Sequence, residues 1–379
     1  MRNGGAVSKR SSIGSFEMKD LRISIAVVVT LLISVGVVMI YSSSGIYALQ
    51  ELGDKTHFLK RHFFFLSLGF LLTLMVMAVD YRDIRKAAKP LIICTLILLV
   101  LVLIPGIGKA SYGARRWFKI GIFYFQPSEF AKFALLIYMA DFLARKQNRL
   151  GSFFEGFLPP MVLLGLMGLL IVKQPDLGNP VLLASIVLIM MFVAGARMVH
   201  IASLAVVAMP LLYFLVVNVP YRLARILVFV DPWQDSQGAG FQLSQSQIAL
   251  GSGGIFGVGL GKSAQKLFYL PAAHTDFIFS IIGEEMGLVG TLAVISLFMI
   301  FIWQGARIAK RTAEPFGYYL AVGIIAMLGL QTVVNVGVSI GALPTKGLPL
   351  PFISYGGSAL IFHMMAVGLL LNISRIQDL

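Results

Sequence analysis

The sequence predicts an all-α protein that crosses a membrane ten times. Hydrophobic residues make up 58% of the 379 residues, whereas charged residues make up 13%, about half the usual share of soluble domains. Several apolar runs approach the length of about 20 residues that a helix needs to span a bilayer, and none alternates as a barrel strand does. This composition excludes a soluble globular enzyme, a disordered chain and, with Cys94 as the single cysteine, a disulfide scaffold.

Hydropathy places each predicted span. The ten spans are residues 22–44, 60–79, 89–106, 127–144, 157–174, 180–195, 198–218, 276–306, 316–341 and 356–374. The eighth is long enough to tilt or to contain a bend, and the sixth, which follows Pro180, is short. Residues 1–21 predict a disordered cytoplasmic tail without a cleavable signal pattern, and 22–375 a single membrane domain.

The distribution of positive charge predicts the orientation and a partner. With both termini in the cytoplasm, 17 of the 31 Lys and Arg residues lie inside, 13 lie outside and Lys132 lies within the fourth span. Inner loops usually hold the excess, so the outer charges need another reason. Most of them lie in 107–126, which has no acidic residue, and in the large outer loop 219–275. An anionic partner at the outer face explains them, and attraction to anionic lipid headgroups is the alternative.

Two outer segments around the fourth span combine cations with an aromatic ring or a carboxylate. Arg115, Arg116 and Trp117 are suited to grip a phosphate and to stack on a sugar or lipid. The alternative is an interfacial Trp with snorkelling arginines. Glu129 and Lys132 lie one helical turn apart, and they predict either a structural ion pair or a functional pair within the membrane.

The large outer loop is too long for a simple connection. It carries Arg222, Lys262 and Lys266. Its Gly-rich run at 251–261 resembles a phosphate-binding loop but lacks the required glycine spacing, and the outer side holds no ATP. These glycines therefore predict closely packed turns.

The same loop ends in the best candidate for acid–base chemistry. Asp276 lies at the membrane edge, close to His274 and at the start of the eighth span. A helix N-cap is the alternative role for this Asp. Glu284 and Glu285 follow on different faces of the span, so at least one of them is predicted to bond to another span.

Two more outer segments have irregular sequences. Residues 173–180 contain Asp176, and residues 341–358 contain Lys346 and Ser354 among several prolines and glycines. Irregular backbone at membrane depth persists only where it is buried in protein or lines a wet cavity. The three prolines and several glycines of the second segment, just before a span, therefore predict a re-entrant or cavity-lining turn, with a rigid surface loop as the alternative.

Together these residues favour a site for a lipid-linked anionic substrate at the outer face. A carboxylate there can act as general base on an attacking hydroxyl, and cations can stabilise a departing pyrophosphate. A transporter would place its ionisable groups nearer the midplane; a scaffold for other membrane proteins is the third class. Zinc spacing, a nucleophile elbow and a nucleotide fingerprint are absent from the sequence, and no nucleic-acid partner is expected.

Several of these segments resemble motifs of the SEDS family (shape, elongation, division and sporulation). The resemblance runs in order from about residue 22 to 375 and rests on residues 113–117, 126–129, 174–178, 273–279 and 349–358. The segment Leu-Pro-Thr-Lys-Gly at 343–347 resembles the cell-division branch, FtsW, more than the rod-elongation branch, RodA.

The resemblance implies a peptidoglycan glycosyltransferase in the bacterial inner membrane, acting at the division septum. Such proteins polymerise lipid II on the outer face and work with a class B penicillin-binding transpeptidase and other division proteins. The alternatives are a lipid II flippase and the same polymerase activity in rod-shape elongation. No cofactor is implied with certainty; a divalent cation such as Mg²⁺ at the pyrophosphate is one expectation.

The resemblance also suggests roles for individual residues. Asp276 matches the family's essential carboxylate, and Trp117 matches a functionally sensitive Trp. Ala272 stands where the family often has Glu, which puts any role of that Glu in doubt here. The predicted substrate-binding residues are Arg115, Arg116, Trp117, Glu129, Lys132, Asp176, Arg222, Lys262, Lys266, His274, Lys346 and Ser354.

Overall fold

The computed structural model describes residues 4–111, 114–121, 123–235, 237–238, 240–267, 270–271 and 273–376. Its α-helices are α1 (Gly4–Leu52), α2 (His57–Ala78), α3 (Tyr81–Ile84), α4 (Ala88–Leu101), α5 (Pro127–Lys146), α6 (Leu158–Val172), α7 (Gly178–Val193), α8 (Met198–Val217), α9 (Pro220–Val230), α10 (Phe241–Ser252), α11 (Ile278–Arg311), α12 (Pro315–Ser339) and α13 (Gly357–Ile376). Its strands are β1 (Lys109–Ser111), β2 (Ala114–Ile120) and β3 (Phe123–Phe125).

Seven stretches among the described residues are long and apolar enough to cross a membrane, which makes this a multi-pass membrane protein. They are Met18–Leu52, His57–Ala78, Phe153–Val172, Met198–Val217, Ile278–Arg311, Pro315–Ser339 and Gly357–Arg375. The other three predicted spans coincide with helices that are shorter or more polar. Helices α4 and α7 have 14 and 16 residues, and α5 carries five ionisable residues.

The first helix begins earlier than the sequence predicts. Its backbone is helical from Gly4, whereas residues 1–21 were expected to form a disordered tail. No proline interrupts the segment before the first span. Extending an existing helix by one residue needs no new nucleus, so the apolar span can propagate helix towards the N-terminus.

Buried helices form the centre of the bundle. Most side chains of α5 are buried. In the apolar stretch of α13, 83% of the residues are buried. The ends of α5, α7, α11, α12 and α13 meet on one side of the bundle. We call the side where α11 begins and α12 ends the outer end, since the charge distribution predicts that it faces outwards.

Helix α11 contains the bend that its length predicts. Gly287 has φ 67° and ψ −163°, which breaks the helix and lies outside the range that other residues adopt readily. The Gly-rich run 251–261 fills the break with backbone hydrogen bonds. Val258 N donates to Glu284 O at 2.9 Å, and Leu288 N donates to Gly254 O at 2.9 Å. The glycines therefore serve close packing, as the sequence predicts.

A small antiparallel sheet departs from the predicted all-α fold. Strands β1, β2 and β3 pair in that order at the outer end, and Gly121 takes φ 60° in the turn between β2 and β3. Two-residue hairpin turns need positive φ, which glycine supplies. The expectation of an all-helical protein is thus wrong for residues 109–125, because aromatic and β-branched residues favour short strands where no span continues.

Helices occupy part of the large outer loop. Helix α9 follows α8 directly, and α10 packs against the bundle. The Ser246 and Ser280 hydroxyls lie 2.6 Å apart, and Ser246 Oγ donates to Ser339 O at 2.8 Å. These buried bonds tie α10 to the beginning of α11 and the end of α12, so the loop forms a folded cap over the outer end.

Candidate active site

Asp276 lies two residues before α11 and is half-buried at the outer end. No side-chain hydrogen bond caps α11, so Asp276 does not act as the N-cap that was its alternative role. A buried amide fixes its backbone instead. Asn335 Nδ2 donates to Asp276 O at 2.8 Å and to Leu348 O at 2.9 Å. One side chain of α12 thereby holds the Asp276 segment beside the turn that precedes α13.

Close backbone approach shapes the space around the carboxylate. A Cβ placed on Gly347 would lie 3.1 Å from Asp276 Oδ2, tighter than most contacts between protein atoms. Gly347 is itself exposed. Glycine at this position therefore leaves room beside the carboxylate oxygen, where any larger side chain would crowd it.

The surroundings make Asp276 a weak acid. Burial raises the pKa of Asp276 from 3.8 to about 6, while the positive charges of Arg225 and Arg116 act in the opposite direction. Loss of water disfavours the charged form, whereas nearby cations favour it. A carboxyl group with a pKa close to the ambient pH is suited to accept a proton during a reaction.

Arg116 reaches the site from β2. Its Nε donates to Gln174 O at 2.9 Å, and its Nη2 donates to Pro175 O. Tyr221 Oη donates to Pro175 O at 3.1 Å. The turn after α6 is therefore held by the sheet on one side and by α9 on the other.

Asp176 and Lys346 face each other across the same end of the bundle. Asp176 accepts hydrogen bonds from Asn179 N at 3.1 Å and Asn179 Nδ2 at 2.7 Å, which stabilises the first turn of α7. Burial lowers the pKa of Lys346, and the charge of Asp176 opposes this shift. Lys346 is thus a partly desolvated cation next in sequence to Gly347.

The large loop contributes Arg225 where the sequence analysis selected Arg222. Arg225 is exposed and donates to Thr345 O at 3.4 Å. Arg222 is buried and donates to Leu215 O at 2.9 Å, so it stabilises the junction of α8 and α9. The sequence shows both arginines in one amphipathic segment, but the direction in which each side chain points depends on how α9 packs.

His274 belongs to an aromatic cluster. Its ring centre lies 6.0 Å from Tyr47, 4.7 Å from Phe58 and 5.9 Å from Tyr355, and its backbone oxygen accepts from Tyr355 N at 2.9 Å. Burial lowers the pKa of His274 to about 4. The imidazole is therefore neutral at pH 7, and it connects the Asp276 segment with the beginning of α13.

Two further predicted substrate contacts are structural in this fold. Lys266 Nζ lies 2.8 Å from Glu285 Oε1, with 4% and 0% of the side chains exposed, so it has no access to a substrate. Ser354 Oγ accepts from Leu350 N at 2.8 Å within its own turn. Glu285 also accepts from Ser42 of α1 at 2.6 Å, which confirms the predicted bond from this pair of acids to another span.

The remaining candidates lie apart from these contacts or within the bundle. Glu129 and Lys132 form an ion pair of 2.7 Å with 3% and 1% exposure, which is the structural alternative for this pair. Lys262 and Arg115 are exposed. Trp117 is half-buried on β2. Gly113 and Ala272 of the quoted motifs lie outside the described residues.

Asn335 and Arg225 are the two site residues that the sequence analysis missed. The signal for Asn335 was an amide within a mainly apolar span, which also carries Gln331, and polar residues within spans usually bond to another segment. Among the described residues, no three His, Cys, Asp or Glu side chains gather as a metal site. The site therefore gathers the Asp276 carboxylate with the cations Arg116, Arg225 and Lys346, and the Asp176 carboxylate faces Lys346.

Residues 22–378 match the profile of the family described as cell cycle proteins, which comprises FtsW, RodA and SpoVE. The chain belongs to the FtsW/RodA/SpoVE family. This confirms the SEDS resemblance. A Geobacter sulfurreducens relative named "Probable peptidoglycan glycosyltransferase FtsW" is 50% identical over 89% of this chain and 91% of its own. Stage V sporulation protein E of Bacillus subtilis is 43% identical over 93% and 96%.

Solved structures of the family share the fold. A chain from "Structural coordination of polymerization and crosslinking by a peptidoglycan synthase complex" superposes with a TM-score of 0.76 at 29% identity, over 93% of this chain and 97% of that chain. The crystal structure of the Thermus thermophilus rod shape determining protein RodA gives a TM-score of 0.70 at 29% identity, over 93% and 96%. The membrane architecture of this chain is therefore that of the FtsW and RodA proteins.

Proposed function

We propose that this chain is a peptidoglycan glycosyltransferase that polymerises lipid II in cell division, with Asp276 as its general base. The observation that carries the assignment of the base is a half-buried carboxyl group with a pKa of about 6, next to Arg116, Arg225 and Lys346. Relatives that are 42–50% identical and named as FtsW glycosyltransferases support the reaction.

The proposed step transfers a glycosyl group between two lipid-linked molecules. Asp276 takes the proton from a hydroxyl of the acceptor sugar while that oxygen forms a bond with the anomeric carbon of the donor. The bond from that carbon to the lipid pyrophosphate breaks, and its electron pair leaves with the pyrophosphate. A well-placed general base contributes about 10²–10⁴-fold to such a rate.

The three cations have a separate task in this step. Arg116, Arg225 and Lys346 approach the site from β2, α9 and the turn before α13. Positive groups held in place before the reaction stabilise the charge that develops on the leaving pyrophosphate. A divalent cation is compatible with this site only if the pyrophosphate supplies most of its ligands, as Mg²⁺ often requires, because the described protein residues provide no cage.

The topology and partners follow from the same proposal. In this proposal, α4, α5 and α7 cross the membrane in addition to the seven long spans, which gives ten crossings. Both termini then lie in the cytoplasm, and Asp276 lies outside. The growing glycan strand then lies on the side where a class B penicillin-binding transpeptidase crosslinks it. The synthase complex named for one structural relative, which coordinates polymerization and crosslinking, supports such a partner. Work with other division proteins at the septum completes the proposal.

The test compares Asp276→Asn with a matched substitution in the same loop, Asp231→Asn. Asp231 accepts a hydrogen bond from Trp233 N at 3.0 Å, which the amide oxygen of Asn can also accept. With purified lipid II and the transpeptidase partner, the Asp276 variant is expected to lose at least 100-fold of the initial polymerisation rate, and the Asp231 variant less than twofold. Normal polymerisation by a folded Asp276→Asn protein would refute the base.

A lipid II flippase is the alternative activity, and vesicles separate it from polymerisation. Glycan strands made from lipid II supplied on the Asp276 side support the enzyme. Transbilayer movement of labelled lipid II without polymer would contradict it. The polar groups described above gather at one end of the bundle, whereas transporters hold their substrates near the midplane, which favours the polymerase.

A further inference from the structure

The small sheet at the outer end has two chemically different faces. Successive side chains of a strand point to opposite faces. Phe118 lies on one face of β2, where its ring stacks on Phe125 at 6.5 Å. Its neighbours Trp117 and Lys119 therefore point the other way. The pairing with β1 shifts between Arg115 and Trp117, which interrupts the alternation of side chains there, so Arg115 does not share the face of Trp117.

Side chains from the adjacent strands complete the second face. Lys109 of β1 pairs with Trp117, and Tyr124 of β3 pairs with Lys119. Paired residues in an antiparallel sheet lie on the same face. Lys109 Nζ also donates to Tyr124 Oη at 2.6 Å and lies 4.8 Å from its ring centre. We call Lys109, Trp117, Lys119 and Tyr124 the outward sheet face.

Among the described residues, the positive charge of the outward sheet face has no counter-charge. Lys109 and Lys119 are exposed, and neither forms an ion pair within this part of the chain. No acidic residue occurs between Asp83 and Glu129. The hydrogen bond from Lys109, together with nearby positive charges including Lys119, lowers the pKa of Tyr124. Two like charges on one small face favour an anionic partner.

The apolar neighbours of this face indicate its depth. Ile107 and Ile120 flank the sheet with 49% and 62% of their side chains exposed. The sheet connects the end of α4 with the beginning of α5, where the chain leaves and re-enters the bundle. Exposed isoleucines beside Trp, Tyr and Lys are typical of residues at the boundary between hydrocarbon and headgroups.

We propose that the outward sheet face binds the phosphate groups of anionic phospholipids in the outer leaflet. Lys109 and Lys119 stand on two adjacent strands beside Trp117, Tyr124 and the exposed Ile107, a combination of residues that suits the headgroup layer of a membrane. Lipid binding here holds the hairpin in position while Arg116 contacts the turn after α6.

Trp117 offers a direct reporter for this contact. In full-length protein carrying Trp233→Phe and Trp303→Phe, Trp117 is the one remaining tryptophan. The protein is placed in phosphatidylcholine nanodiscs with a minor share of brominated phosphatidylglycerol or, separately, brominated phosphatidylcholine. Brominated phosphatidylglycerol is expected to quench Trp117 more strongly than brominated phosphatidylcholine does, because the lysines beside Trp117 attract anionic lipid to the sheet.

Charge removal measures the contribution of the face. Lys109→Gln with Lys119→Gln is expected to reduce the preference for phosphatidylglycerol by about fivefold for each lysine. Salt at 1 M should abolish the preference, since it reduces the Debye length to about 3 Å. The matched control is Lys55→Gln with Lys173→Gln, which removes the same charge from exposed outer positions away from the sheet and should leave the preference within twofold.

Two results would overturn the proposal. Equal quenching by both brominated lipids means that the face has no affinity for anionic headgroups. Relief of quenching by undecaprenyl pyrophosphate, without any preference for phosphatidylglycerol, assigns the face to the diphosphate of a substrate instead. Melting curves of the lysine variants verify that the hairpin stays folded. Because the readout is lipid contact, it is independent of Asp276 and of the proposed polymerisation.

Discussion

The rate of glycan polymerisation is expected to fall about tenfold between pH 7 and pH 5, because Asp276 gains a proton in this range. With a pKa of about 6, the carboxylate is about nine-tenths ionised at pH 7 and about one-tenth ionised at pH 5. A carboxyl group with the ordinary pKa of 3.8 would stay ionised at both values. The depth of the acidic limb therefore tests the burial of Asp276 directly.

A second variant tests the cause of that pKa. Arg225 lowers the pKa of Asp276, so Arg225→Gln should move the acidic limb to higher pH. The expected shift is a few tenths of a pH unit, since Arg225 is exposed and its field is screened by water. Lys173→Gln is the control. It removes another exposed outer cation that does not affect the pKa of Asp276, so it should leave the acidic limb at the same pH.

The assay is kcat/KM for lipid II from pH 4.5 to pH 8.5, because this ratio reports the pKa values of the free enzyme. The full-length protein is assayed throughout with the proposed transpeptidase partner, and the melting temperature is recorded at each pH to exclude unfolding. A flat profile between pH 5 and pH 7, or a limb near pH 4, would refute the argument. So would a limb that Arg225→Gln moves to lower pH.

Substitutions at the outer end also separate stability from activity. The folded-state pKa of Asp276 lies above the ordinary value, so the wild type loses stability as pH rises through about 6. At pH 8 the free energy of unfolding of Asp276→Asn should therefore exceed that of the wild type by about 1–3 kcal/mol, and at pH 4 the two should not differ. Lys266→Met leaves Glu285 buried without its cation and should lower the free energy of unfolding by about 3–5 kcal/mol in denaturant titrations. Adding Glu285→Leu should restore most of that stability. If the single and double variants unfold at the same denaturant concentration, the two residues are not coupled. Asn335→Leu leaves the carbonyls of Asp276 and Leu348 without their donor, at about 1–3 kcal/mol each, and should lower kcat more than it raises KM; an unchanged kcat would contradict the positioning role.

Local hydropathy was sufficient for most of the helices. Each predicted span coincides with a helix, and the bend in the eighth appears at Gly287. The sheet was missed, because residues 109–125 form strands only a few residues long, whose alternation is too brief to stand out among aromatic and basic residues.

The identity of the catalytic candidate was also accessible from sequence. Asp276 stands out as a carboxylate at the end of a polar outer loop, and the family resemblance assigns it the same importance. Its partners were less accessible. Arg225 was passed over for Arg222, and Lys266 was assigned to the substrate although Glu285 neutralises it within the bundle. Such pairings join residues that are distant in the chain or depend on how a helix rotates in its packing.

The amino-acid sequence alone determined that this protein spans a membrane, which apolar segments form its helices, and where a carboxylate and cations gather along the chain. Those properties depend on apolar runs and on residue type, which a single segment carries by itself. Only the tertiary structure decided that Arg116 contacts the turn after α6 while Trp117 and Lys119 share the other face of the sheet with Lys109. The direction of a side chain depends on the strand or helix that holds it and on the segments packed against it, and these contacts exist only after the chain has folded.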